Sequence, residues 1–220
     1  LQIGETTVSR NTDARNIGVI FDDTMLMKEQ ISSICRITHF HLRNIGSIRK
    51  YLTQDACATL VHSLVSSKIE YCNALLSNLP ANSLNRLQRI LNSAARIVSL
   101  QPKHCHIRPI LFNLHWLPVE QRIKFKVLLF VFKCVNNIAP KYLIDLLKVY
   151  RPERELRSAN TLTLDYEAPS VKYGERAFSI YGPTHWNKLP VEIRMSESVI
   201  SFKNKLKTFL FKEAFPEFTI

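Results

Sequence analysis

The chain has 220 residues, 46 % of them hydrophobic and only five of them glycine, which is enough apolar material for a sizeable core and argues against disorder. Its longest purely apolar run, Val127 to Phe132, is closed by Lys133 and is far short of the ~18 residues that cross a bilayer. Five cysteines without a CxxC pair or a secretory signal fit a reduced, intracellular chain in the nucleus or cytoplasm, not a secreted disulfide scaffold. The formal net charge is +12, and its distribution is uneven. Fifteen Lys and Arg but only four acids (Glu29, Asp55, Glu70 and Glu120) fall between Thr24 and Val135. Such a basic segment attracts polyanions through a field that salt screens; the ordinary alternative is a solvated helical surface.

In chain order, Leu1 to Ile3 with Thr7 to Ser9, and then Arg15 to Phe21 with Ile17, Val19 and Phe21 alternating, read as short extended pieces. The chain opens at Leu1 without an initiator methionine, which suggests a piece of a longer protein. Asp22, Asp23 and Thr24 supply turn and cap chemistry. Ile31, Ile34, Cys35, Thr38, Leu42, Ile45 and Ile48 recur at threes and fours and predict a helix, with Gly46 interrupting it or ending its first part. Thr53 caps the next helix, whose buried stripe is Cys57, Leu60, Val61, Leu64, Val65, Ile69 and Cys72. Leu79-Pro80 breaks the pattern, and Ser83 is placed as the cap of a helix burying Leu84, Leu87, Ile90, Leu91, Ala94, Ile97 and Val98.

Pro102 to Pro109 reads as a linker or turn, and Pro118 as the first position of a strong helix carrying Ile123, Val127, Phe130, Val131 and Cys134. A short helix runs from Pro140 to Leu147. From Arg151 the texture changes: Thr161 to Leu164 and Val171 to Tyr173 look extended, and the chain ends in an amphipathic helix with Phe202, Leu206, Phe209 and Leu210 on one side. The reading is a mainly α fold: a short N-terminal β-hairpin over residues 1–27, a helical bundle over 28–150, and a small mixed C-terminal region over 151–220 ending in a helix.

Phe21-Asp22-Asp23 resembles the paired carboxylates with which polymerases hold magnesium, but the residue two before the first aspartate is Ile20 and no third carboxylate lies at hand. A turn and helix cap is the preferred reading. His104-Cys105-His106 are metal-ligand types, yet three consecutive residues do not converge easily on one tetrahedral ion, so no metal and no catalytic residue is assigned. Trp116 and Trp186, each beside a proline turn, read as core anchors before base-stacking surfaces. The stronger signal is geometric. Arg86, Arg89, Ser93 and Arg96 fall at i, i+3, i+7 and i+10, and Arg36, His39, Arg43 and Lys50 at i, i+3, i+7 and i+14. Each set forms a row on one side of a helix whose apolar stripe faces elsewhere. Rows of guanidinium forks suit a phosphate backbone.

The strings themselves are similar to one family. Arg15 to Asp22, Phe40-His41-Leu42-Arg43-Asn44-Ile45 within Ile34 to Tyr51, and Leu64 to Asn73 within Thr59 to Leu76 resemble blocks of LINE-type, non-long-terminal-repeat reverse transcriptases. So, in the same order, do Leu87-Gln88-Arg89 with Ala94-Ala95-Arg96, Leu114 to Arg122, Tyr173 to Phe178, and Ser201-Phe202-Lys203 running on to Lys212. The resemblance implies a palm-edge hairpin, then a helical thumb, then a C-terminal region, beginning after the palm's catalytic motif. It implies a segment that holds nucleic acid and does not copy it. Arg36, Arg43, Lys50, Arg86, Arg89 and Arg96 would touch the backbone of RNA or an RNA–DNA duplex. The implied partners are that nucleic acid and the upstream palm and fingers, with no membrane. No cofactor is expected in this chain, since Mg2+ would sit in the parent's palm. The competing expectations are an active polymerase using Asp22 and Asp23, a domesticated protein-interaction scaffold without nucleic-acid binding, and a membrane-surface helix at Ser201 to Phe215.

Overall fold

A computed structural model describes residues 2–4, 6–7, 12–150, 161–167, 169, 171 and 174–218. Leu1, Ser9, Arg151, Lys172 and Tyr173, on which parts of the extended readings and of the proposed boundary fall, lie outside the described residues. The chain is mainly helical, 65 % helix against 6 % strand, so its cores are closed by helices and the strands only trim its edges.

Strands β1 (Gln2–Ile3) and β2 (Thr6–Thr7) pair antiparallel, as do β3 (Asp13–Asn16) and β4 (Val19–Asp22). Arg15 to Phe21 is therefore not one strand. Asn16 pairs with Val19, and Ile17 and Gly18 both take positive φ between them, which is the two-residue turn that matches strand twist. Ile17 consequently points to solvent, and only Val19 of this hairpin is buried.

After β4 the chain enters α1 (Lys28–Ile48), about 30 Å long. Ile31, Ile34, Thr38, Leu42 and Ile45 form its buried face. Gly46 does not end the helix, because the hydrogen-bonded ladder continues through it to Ile48 and into a 3-10 turn at Arg49–Tyr51. Helix α2 (Gln54–Val61) is capped by Thr53, whose Oγ1 accepts from the Ala56 N–H at 3.2 Å. A π-helical turn (His62–Ser66) joins it to α3 (Ser67–Glu70). Helix α4 (Ala81–Val98) begins earlier than the sequence suggests: Pro80 stands at the cap, and Ser83 lies inside the first turn. Proline at the boundary fixes φ and removes a donor that would go unpaired.

Then follow α5 (Ile107–Asn113), α6 (Val119–Val135) and α7 (Lys141–Ile144). A small antiparallel pair comes next, β5 (Lys148–Val149) with β6 (Leu164–Asp165). The chain closes with α8 (Phe178–Trp186), α9 (Val191–Arg194) and α10 (Val199–Ala214). Two apolar cores are stacked along α6. Val119 and Ile123 belong to the core built by α1, α2, α4 and α5, whereas Val127, Leu128, Val131 and Phe132 belong to a second core with α8, α9 and α10.

In that second core Phe132 stacks on Phe202 with ring centroids 4.2 Å apart. Trp186 is fully buried and its indole N–H donates to the Leu162 carbonyl at 2.7 Å. The described residues after Tyr150 bury their apolar faces on α6 as well as on one another. The apolar face of α10 (Phe202, Leu206, Leu210) is buried in the same core. Among the described residues no helix is long and apolar enough to cross a membrane. Trp116, like Trp186, is a core residue.

Candidate nucleic-acid interface

The side chains in question stand on α1 and α4, which pack side by side. Two hydrogen-bonded links fix their relative direction. Arg86, near the start of α4, donates from Nη2 to Ser32 Oγ near the start of α1 at 3.1 Å. Arg49, just past the end of α1, reaches the Ile97 and Val98 carbonyls at the end of α4. The helices therefore run parallel. With 3.6 residues per turn, Ser32, Arg36, His39, Arg43 and Lys50 share one flank of α1, and Arg86, Arg89 and Ser93 share the flank of α4 that borders it. The two rows face a common channel.

Arg36, Arg43, Lys50, Arg86 and Arg89 are exposed. Lys50 lies on the 3-10 turn, with Nζ 4.9 Å from the Tyr51 ring centre. Among the described residues none of these five forms an ion pair with a carboxylate. Arg86 also passes over Cys35: burial pushes that thiol up from its ordinary value, and the guanidinium partly opposes the shift.

Arg96 is placed differently from its neighbours in the row. It is half-buried, its Nη2 donates to the Cys105 carbonyl at 3.0 Å, and its buried Nε has no partner. The loop after α4 folds back over the helix end and draws this guanidinium inward. Beside it lies an open groove of about 700 Å³ between the ends of α1 and α4, lined by Arg49, Arg96 and Lys103 together with Gly46, Ser93 and apolar side chains such as Ile97 and Leu100.

Other cations of the same basic segment serve the fold. Arg49 is 8 % exposed and donates to Ile97 O at 2.9 Å, Val98 O at 2.8 Å and Leu52 O at 2.7 Å. It caps the last carbonyls of α4 with a charge of the sign the helix dipole prefers there. Sequence reading missed it, although the signal was present: Arg49 follows Leu42 and Ile45 at i+7 and i+4, in register with the buried stripe. Arg122 is paired with Glu70 and also donates to Leu117 O at 2.7 Å; burial lowers its pKa while Glu70 opposes that. Lys124 pairs with Glu213 at 2.8 Å and Glu120 at 3.4 Å. Arg108 holds Glu217 through Nη2 at 2.7 Å. Two of the four acids in the segment are thus consumed by structural cations, and the α1–α4 channel keeps its positive charge.

Asp22 is a capping residue. Its Oδ1 accepts from the Leu26 N–H and the Thr24 hydroxyl at 2.8 Å each, and its Oδ2 from the Lys28 N–H at 2.9 Å. Burial raises the pKa of this carboxyl, but those hydrogen bonds outweigh it and hold the group below 3.8. The loop is needed because Met27, which precedes α1, takes a left-handed conformation and offers no side-chain cap. Among the described residues no three His, Cys, Asp or Glu side chains come together as metal ligands. No protein-family model, no curated protein and no solved structure matches the chain.

Proposed function

We propose that the chain is a non-catalytic nucleic-acid-holding segment of a LINE-type RNA-directed DNA polymerase, gripping the backbone of an RNA–DNA template–primer duplex with the paired flanks of α1 and α4. One observation carries this reading: two rows of exposed cations, without carboxylate partners among the described residues, stand on neighbouring flanks of parallel helices. Helices packed side by side lie ~8–10 Å apart, and Arg36 to Arg43 spans about 10 Å along the axis, so the two flanks are close enough for their cations to reach one sugar–phosphate strand together. Backbone contacts of this kind hold register without reading bases. The chemistry, with its Mg2+, would be supplied by the upstream palm and fingers.

The test is binding of a short RNA–DNA hybrid to the purified chain as salt rises. Affinity should fall linearly on logarithmic axes, and replacing Arg36, Arg43, Arg86 and Arg89 by Ala should flatten the slope by ~0.7–0.9 for each phosphate that is no longer neutralised. An unchanged slope in the quadruple variant refutes the reading. A second reading, a protein-interaction scaffold, is favoured by Ile37, Phe40 and Ile48, which stand exposed on α1 beside the basic row. A folded chain that ignores nucleic acid at low salt selects that alternative.

A further inference from the structure

We infer that the groove at the ends of α1 and α4 is a discrete phosphate subsite, with Gly46 in its wall and the Arg96 guanidinium and Lys103 as its donors, and that it takes one phosphodiester group of a bound nucleic-acid strand. This rests on the reading of the channel given above and adds residues to it that neither row contains.

The first observation is the glycine itself. Glycine inside a helix is unfavourable relative to alanine, so its presence needs a reason. Gly4 and Gly18 take positive φ, and a Cβ at Gly174 or Gly182 would come within 2.6 Å of Pro169 or 2.8 Å of Val131. Gly46 has neither excuse. Its φ is ordinary, and a Cβ there would meet only Ile97 Cδ1 at 4.0 Å, a normal separation. Nothing in the protein's own packing asks for a missing side chain at this position. What the missing Cβ does provide is open space in the wall of the groove and a backbone that another molecule can approach closely.

The second observation is a pre-positioned cation. The Arg96 guanidinium lines the groove, is half-buried, and is fixed through Nη2 to Cys105 O. A planar fork already held in place loses little further freedom when its accessible N–H groups meet phosphate oxygens. The third is electrostatic. Among the described residues the groove lining includes Arg49, Arg96 and Lys103 and no acidic residue. A helix C-terminus would ordinarily repel an anion, but Arg49 has already engaged the terminal carbonyls of α4. The local sign is thereby reversed. Phosphate, with several acceptor oxygens, fits a site built from one fixed guanidinium, one mobile ammonium and a close-approaching backbone.

The experiment compares Gly46→Ala and Lys103→Ala with the unaltered full chain, using a fluorescently labelled RNA–DNA hybrid and anisotropy across a salt series, together with thermal unfolding. Gly46→Ala should weaken binding by about tenfold while raising the unfolding midpoint by roughly 2–4 °C. Tighter folding with poorer binding is the signature of a glycine kept for a ligand. Lys103→Ala should weaken binding to a similar degree and reduce the salt slope by ~0.7–0.9, and the double variant should lose less than the sum of the two. If Gly46→Ala binds as the unaltered chain does while Arg86→Ala and Arg89→Ala are impaired, the subsite is refuted and the channel reading stands. If the unaltered chain fails to bind the hybrid at low salt, both fall. Inorganic phosphate is the control for a free-anion pocket: a stabilisation by phosphate well beyond that of chloride at equal ionic strength, abolished in Lys103→Ala, overturns the assignment to a nucleic-acid strand.

Discussion

Replacing Arg49 by Met separates the cations that build this fold from those that face outward. The methionine keeps most of the unbranched stem, so apolar packing is largely retained and the loss falls on the guanidinium. Three hydrogen bonds disappear, to Ile97 O, Val98 O and Leu52 O. At about 1 kcal/mol each they amount to ~3 kcal/mol, and removing a cation from a helix C-terminus adds ~0.3–1 kcal/mol. Water entering the adjoining groove would recover part of this, so the expected loss is about 3 kcal/mol, a large share of the ~5–15 kcal/mol typical of whole domains. Urea unfolding followed by far-ultraviolet circular dichroism gives the value from the midpoint shift at constant slope. Arg49→Lys should recover only part of it, because one ammonium cannot bridge carbonyls on both α4 and Leu52 with the planar fork's geometry. A loss below ~1 kcal/mol in Arg49→Met, with the slope unchanged, would show that solvent caps α4 as well as Arg49 does and would sink the argument.

Two further outcomes concern carboxylates. The Asp22 carboxyl is held below 3.8 in the folded chain, so its contribution is present above the ordinary carboxylate range and is lost as pH falls through it toward the depressed folded value. Stability measured from neutral pH downward should decline in that acidic window, and Asp22→Ala, already lacking the three accepted hydrogen bonds, should show a shallower decline there. Glu70→Ala strands the guanidinium of Arg122, whose side chain is only 13 % exposed. Because Glu70 is 46 % exposed and screened by water, the cost should be about 2 kcal/mol, under the ~3–5 kcal/mol of a fully buried pair. Urea titration checks it, and a midpoint equal to that of the unaltered chain would mean that Leu117 O and solvent suffice for Arg122.

Much of this molecule was legible in its residues because the relevant information is local. Apolar spacing of threes and fours marked α1, α4 and α6, and Thr53 announced its cap, since a helix buries one stripe and leaves orphan N–H groups at its start whatever surrounds it. The location of the excess charge, and its rows at i, i+3 and i+7, were also present in the string. Boundaries that depend on which backbone groups find partners were not: Gly46 was passed through, and the Ile17-Gly18 turn divided what alternation alone had joined.

The rest was settled by segments distant in the chain meeting in space. Arg89 and Arg96 occupy one row of one helix, yet Arg96 alone is drawn inward, because the loop carrying Cys105 returns over it. Arg43 on α1 and Arg49 in the turn that follows it are near neighbours, yet one is solvated and the other holds the end of α4. The apolar pattern of α6 does not reveal that its two halves belong to different cores. Composition and periodicity determine that this chain is helical, basic and amphipathic; which cations remain free for an anion depends on long-range packing, because a guanidinium on its long stem pairs with whichever carbonyl or carboxylate the fold brings within reach.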